Sequence, residues 1–75
     1  MNNIEPRLAY NYAKIIVDTG LCTTVRTTSY EINMAGFIRV PVYTEDYEGK
    51  YYNASDGLWY LDGSFETLWV DAPQW

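Results

Sequence analysis

Along the first part of the chain the apolar positions Leu8, Tyr12, Ile15 and Ile16, with Ala9 between them, recur at three- and four-residue spacing. That spacing is the stripe of an amphipathic helix. Arg7, Asn11, Lys14 and Asp18 fall on the opposite side. Asn2 or Asn3 as cap, Glu5 and Pro6 in the first turn and Gly20 as a stop predict a helix over 4–19. The preference then changes. Thr23, Thr24, Val25, Thr27 and Thr28 are β-branched, and Tyr30 and Ile32 continue an extended pattern. For 29–35 two readings stand, a strand or a short capped helix before Gly36. Ile38, Val40 and Val42 alternate with Phe37, Arg39, Pro41 and Tyr43, which predicts a strand with one buried face. Pro41 has no N–H for a ladder, so that strand belongs at an edge or carries a bulge.

Residues 44–50 are polar and acidic and read as an exposed loop. Tyr51 and Tyr52 precede a turn cluster at 53–57. Two short β segments follow, 58–61 and 65–70, with Asp62-Gly63 as the hairpin turn between them. The expected fold class is α+β in a single domain over 1–75, one N-terminal helix packed on a small antiparallel meander of about four strands.

A two-residue turn at Asp62-Gly63 fixes which residues share a face. Leu58, Tyr60, Phe65, Thr67 and Trp69 then face the helix. Trp59, Leu61, Ser64, Glu66 and Leu68 face away, with Asp56 and Asp62 near them. At about 25 cal/mol per Å², burying Trp59, Leu61 and Leu68 is worth several kcal/mol, so that face calls for a cover. The candidates are the 44–56 loop or the 73–75 tail, a second copy of the chain, or a different protein. The expected partner-binding set is Trp59 as anchor, Leu61 and Leu68 beside it, Asp56, Asp62 and Glu66 as polar rim, and the loop residues Glu45, Asp46, Tyr47 and Glu48.

Composition narrows the chemistry. A chain of 75 residues supports only a marginal core, and a single cysteine with no histidine offers neither an internal disulfide nor a structural zinc site. Cys22 reads as a small buried hydrophobe. Without histidine the usual general base and the Ser-His-Asp and Cys-His arrangements are missing, and no phosphate-binding glycine loop occurs. Glu45-Asp46-x-Glu48 lacks the order of a calcium loop and reads as solvated surface. Asp62 and Glu66 form a carboxylate pair without the deep cleft that glycoside hydrolysis needs. The expectation is a protein that is no enzyme and uses no cofactor.

The net charge of −5 is unevenly placed. Residues 1–39 carry Glu5, Asp18 and Glu31 against Arg7, Lys14, Arg26 and Arg39. Residues 40–75 carry Glu45, Asp46, Glu48, Asp56, Asp62, Glu66 and Asp71 against Lys50 alone. Such a half reads either as an ordinary solvated surface or as one that repels nucleic acid and attracts a basic partner. No secretion signal or long apolar run is evident, so a cytoplasmic protein without membrane contact is expected, and Asn53-Ala54-Ser55 is read as a chance glycosylation pattern.

The stretch GLWYLDGSFETLW at 57–69 resembles the aromatic hairpin repeat of choline- and glucan-binding wall proteins, through Gly57, Trp59, Tyr60, Leu61, Asp62, Gly63 and Trp69. Those proteins are secreted and form their sites between tandem repeats. With one copy and no signal here, the resemblance is read as convergence on a good hairpin. The remaining profile points to a small acidic binder that occludes a larger protein with a basic, nucleic-acid-handling surface. Phages and mobile elements use inhibitors of this kind, anti-CRISPR, other anti-defence and host-takeover proteins among them. The alternative is a self-assembling structural or accessory subunit, a homo-oligomer.

Overall fold

A computed structural model describes residues 9–75 of the chain. Five strands, β1 (Tyr10–Ile15), β2 (Cys22–Thr28), β3 (Phe37–Val40), β4 (Tyr51–Asn53) and β5 (Leu58–Tyr60), are joined by turns and one 3-10 turn at Glu45–Tyr47. Among the described residues there is no α-helix, and the α+β expectation is corrected to a β structure of two small antiparallel sheets. The predicted helix over 4–19 fails at its centre, where 10–15 form β1; Leu8 and its predecessors lie outside the described residues. The reason is visible in the residues. Tyr10, Tyr12, Ile15, Ile16 and Val17 are aromatic or β-branched, and Tyr-Asn-Tyr-Ala-Lys-Ile satisfies a two-residue period as well as a helical one. Pairing on both sides then decides for the strand, with β1 lying between β2 and β3.

Gly20 ends a hairpin rather than a helix. The N–H groups of Thr19 and Gly20 both donate to the Ile16 carbonyl, at 3.1 and 2.7 Å, and Ile16 N–H donates to Leu21 at 2.9 Å. Gly20 has φ +82°, and a Cβ there would collide with the carbonyl oxygen of Tyr52.

Register assigns the faces. Asn11 opposes Thr27 and Val40, and Ala13 opposes Val25 and Ile38, so these side chains share the inner face with Ile15 and Cys22. A bulge between Lys14 and Ile15 keeps Cys22 inward. Tyr12 points to the other face, opposite Arg26 and Arg39. It is buried there as well, because residues 29–36, neither strand nor helix, fold across it. Its hydroxyl accepts the Ile32 N–H at 2.8 Å, and its ring meets Phe37 edge-on at 6.3 Å. Tyr12 and Ile15, expected on one helical stripe, therefore lie on opposite faces. Ile38 and Val40 face inward as the alternation predicts, β3 is an edge strand, and Pro41 falls just past its end, whereas Val42 is exposed.

The second sheet, β4 with β5, continues from the first. Leu21 opposes Tyr51 across a bridge, with Cys22 N–H donating to Lys50 and Tyr52 N–H to Gly20, both at 2.9 Å. Beyond β5, Tyr60 opposes Leu68. Antiparallel pairing thus runs β3-β1-β2-β4-β5 and on to the chain around Leu68. Ala13, Cys22, Val25, Val40, Tyr47 and Trp59 form the core, with Ile15, Ile38, Tyr52, Trp69 and Ala72 packed against it. Among the described residues no helix is long and apolar enough to cross a membrane.

Candidate functional site

The last hairpin turns through an odd number of residues, and this rearranges its faces. Leu61 N–H donates to Thr67 at 2.8 Å and Trp69 N–H to Trp59 at 2.9 Å, leaving 62–66 as the loop. Trp59 therefore opposes Trp69, and Tyr60 opposes Leu68. The partition that a two-residue turn implies is overturned. Trp59, expected as an interface anchor, is only 8% exposed. Its ring lies 5.0 Å from Tyr47 and 5.1 Å from Tyr52, and Tyr47 meets Trp69 edge-on at 5.3 Å. Tyr47, expected on an exposed loop, is 1% exposed and is the centre of this aromatic group. The cover for Trp59 comes from within the 44–56 segment.

The other predicted residues stay at the surface and fall into two places. Glu45, Asp46 and Glu48 are exposed on the 3-10 turn, which Thr44 caps through its hydroxyl to the Asp46 N–H at 3.2 Å. Asp56, Glu66, Leu61 and Leu68 are exposed around the hairpin, and Asp62 is half-buried in its loop. Leu61 lies on the Trp59 side by alternation, whereas Leu68 is on the opposite face.

That opposite face carries a row that the sequence reading missed. Ile16 closes the first hairpin against Leu21, Leu21 opposes Tyr51, Tyr51 opposes Tyr60, and Tyr60 opposes Leu68. Five apolar or aromatic side chains so face one another across five segments of chain, on the outer side of the sheet. Leu58, which precedes Tyr60 by two, shares that side and is 46% exposed, and Leu68 is 42% exposed. Only the pairing registers reveal this row, since its members come from separate parts of the sequence. The signal that was available is the parity of the 62–66 loop.

Carboxylates edge the row. Asp18 sits on the first hairpin beside Ile16. Asp56 accepts the Tyr60 hydroxyl at 2.5 Å and the Leu58 N–H at 2.9 Å. This bond to the Asp56 carboxylate raises the Tyr60 hydroxyl above its ordinary pKa. Asp62 accepts the Ser64 hydroxyl at 2.6 Å, the Thr67 N–H at 2.9 Å and the Glu66 N–H at 3.1 Å. The Ser64 bond first, then these backbone donors, hold its carboxyl below the ordinary value. The clasp keeps Phe65 at φ +57°, a left-handed conformation that costs of order 1–3 kcal/mol for a residue with a side chain. The Phe65 ring packs at 5.4 Å against Tyr60, onto the row.

The one cation of residues 40–75 is turned elsewhere. Lys50 Nζ donates to the Asp46 carbonyl at 2.9 Å and lies 4.7 Å from the centre of the Trp69 ring, on the side of the aromatic core. Burial pushes the Cys22 thiol up to about 11, so it is protonated and enclosed at neutral pH. Among the described residues no group of three His, Cys, Asp or Glu is placed to hold a metal ion. The arrangement combines a half-exposed apolar row, shallow hollows beside it, and exposed carboxylates on the flanking turns and loop. Compared with known proteins, the chain matches no family model, no curated protein and no solved structure.

Proposed function

We propose that this chain is a protein-binding module whose outer sheet face, the row from Ile16 to Leu68, docks on a basic surface of a larger protein and occludes it. One observation carries the reading: a half-exposed apolar row in cross-strand register, with Asp18, Asp56 and Glu66 exposed on the turns and loop that flank it, while Lys50 is held on the other side. Apolar centre and acidic margin divide the work as interfaces do. The first supplies residence time, the second steers encounter and selects a cationic partner. A basic surface of this kind is what nucleic-acid-handling proteins present, which supports the narrower reading of an inhibitor of the type phages and mobile elements encode.

A second reading is favoured by the opposite end of the same face. There β1 to β3 carry Lys14, Arg26 and Arg39, so one copy's acidic end complements another's basic end. Head-to-tail association of copies is the homo-oligomeric alternative.

The test combines capture and reconstitution. Proteins captured from a lysate at low salt are purified and titrated against the chain by calorimetry, with Leu68→Glu as the interface variant. A one-to-one complex with a basic protein, lost in Leu68→Glu and weakened by salt, supports the reading. A purified complex indifferent to Leu68→Glu overturns the face. Sedimentation that shows the chain assembling with itself through that face overturns the binder in favour of the homo-oligomer.

A further inference from the structure

Beside the row lies an open hollow of about 520 Å³ lined by Ile16, Asp18, Thr19, Leu21, Tyr51, Gly63 and Phe65. Its walls have three different origins. Ile16 and Leu21 close the first hairpin, Tyr51 opens β4, and Phe65 arrives from the tip of the last hairpin. Two of the walls are aromatic and two aliphatic. Asp18 is the charged member, and no cation lines the space.

The walls are held in place by the pairing and loop bonds around them. Leu21 and Tyr51 are fixed by the bridge that joins the two sheets. Phe65 is fixed in its left-handed conformation by the Asp62 clasp. Gly63 brings that loop against the Tyr51 ring, where a Cβ would meet the ring edge at 3.2 Å. Asp18 makes no side-chain hydrogen bond to any described residue, and its carboxylate is exposed at the rim. The loop's own Asp62 and Glu66 add negative charge a short way along the chain.

We propose that this hollow takes the side chain of an arginine from the basic partner, an assignment that rests on the docking reading above. Aromatic faces attract a cation through their negative quadrupole, and a guanidinium, planar and weakly hydrated, leaves water for such a surface more readily than an ammonium. The methylene stem of the arginine lies along Ile16 and Leu21 as the stems of long cationic side chains do on apolar surface. The guanidinium then stacks on Phe65 or Tyr51 and donates to the Asp18 carboxylate. A purely apolar side chain would leave Asp18 facing it without compensation, so charge complementarity favours the cation.

The probe is a blocked hexapeptide of alternating glycine and arginine, compared with the same peptide carrying citrulline, which keeps the shape and removes the charge. Carbon-detected aromatic NMR of the folded chain follows the ring signals of Tyr51 and Phe65. The arginine peptide is expected to shift both rings and the Asp18 carboxyl signal, with citrulline at least about fivefold weaker. Asp18→Asn is expected to remove about the same factor with the fold unchanged, since Asp18 bonds to nothing that would be lost. Phe65→Leu is expected to weaken the arginine peptide while keeping an apolar wall. Equal binding of the two peptides, or shifts confined to Glu45, Asp46 and Glu48 with both rings silent, overturns the proposal. So does an Asp18→Asn variant that binds as tightly as the parent. The two readings fail separately. If a basic protein docks on the row while the peptide ignores the hollow, only the arginine assignment falls. If the peptide fills the hollow and no basic protein docks, the hollow keeps its preference for arginine, and the occluding function falls together with the source of that arginine.

Discussion

Trp69 donates its backbone N–H to the carbonyl of Trp59 at 2.9 Å, and this pairing decides which side of the second sheet every residue of the last hairpin occupies. Both indoles turn inward, where Tyr47 lies 5.0 Å from one and 5.3 Å from the other. Leu68 and Tyr60 turn outward together.

Trp59→Ala is accordingly a stability variant. Removing a buried tryptophan side chain costs about 3–5 kcal/mol, a large part of what a domain this small has. Urea unfolding followed by circular dichroism is expected to show a midpoint far below the parent's, or no folded baseline. A change below about 0.5 kcal/mol, the size of an ordinary surface substitution, would contradict the packing.

The alternation that governs β3 was legible, because Ile38 and Val40 have polar or aromatic neighbours and one period fits them. Residues 10–15 were not, because Tyr12 and Ile15 satisfy a helical stripe and a strand equally; only the partners β2 and β3, distant in sequence, choose between the two. The geometry of the candidate face was half legible. Its carboxylates and Leu68 could be named from composition, yet the turn at Asp62-Gly63 reads as two residues long. The carboxylate clasp that lengthens it to 62–66 depends on Ser64, Glu66 and Thr67 acting together. With the wrong parity, Trp59 and Leu68 fall on one face, and the row through Tyr51 and Leu21 stays hidden.

The Asp62 clasp should make the hairpin loop sensitive to acid. Its carboxyl is held below the ordinary value of 3.8, so the ionised form is the one the folded loop prefers. The stabilisation is present above the unfolded value and is lost as pH falls through the lower folded one. The protection of the Glu66 and Thr67 amides, taken as their exchange rate relative to the intrinsic rate at each pH, is expected to be higher at neutral pH and to fall below about pH 4. Asp62→Asn should remove that acid step and loosen the loop at neutral pH. An exchange profile that is the same in both proteins would sink the clasp.

Cys22 should behave as core rather than as a reactive group. It is 2% exposed, its Sγ–H donates to the Thr24 carbonyl at 3.4 Å, and its pKa is raised to about 11 by burial. At pH 8 a thiol reagent is expected to modify it only as fast as the chain opens, and the rate should climb with urea. Rapid labelling of the folded protein would place the thiol at the surface.

Gly20 stands where the end of the first hairpin pairs edge to edge with β4 of the second sheet. Alanine there has to adopt φ +82° and meets the Tyr52 carbonyl oxygen, which lies close because the Tyr52 N–H donates to the Gly20 carbonyl at 2.9 Å. Left-handed backbone alone costs an alanine about 1 kcal/mol, and the backbone collision adds to it. Gly20→Ala is expected to lose at least about 2 kcal/mol in urea unfolding, whereas Gly49→Ala, at φ +86° but in open space, should lose only the conformational part. Equal losses would show that the two sheets do not approach at Gly20.

Kinetics separates the two components of the proposed docking face. Charge acts over a distance set by the Debye length, about 8 Å at physiological ionic strength, so carboxylates on the margin influence encounter before contact is made. Asp56→Asn and Glu66→Gln are expected to lower the association rate with a basic partner and to flatten its dependence on salt, leaving dissociation little changed. Leu68 acts only on contact. Leu68→Ala should leave association within about twofold and raise dissociation by about fivefold or more, as loss of more than about 1 kcal/mol of contact energy does. Asp56 carries a second duty, holding the Tyr60 hydroxyl at 2.5 Å, so its variant also needs Tyr60→Phe as a control. If that control slows association as much as Asp56→Asn does, the carboxylate acts by placing the tyrosine and not by its charge. Salt-independent association in the parent protein would remove the acidic margin from the mechanism and leave the apolar row to account for binding alone.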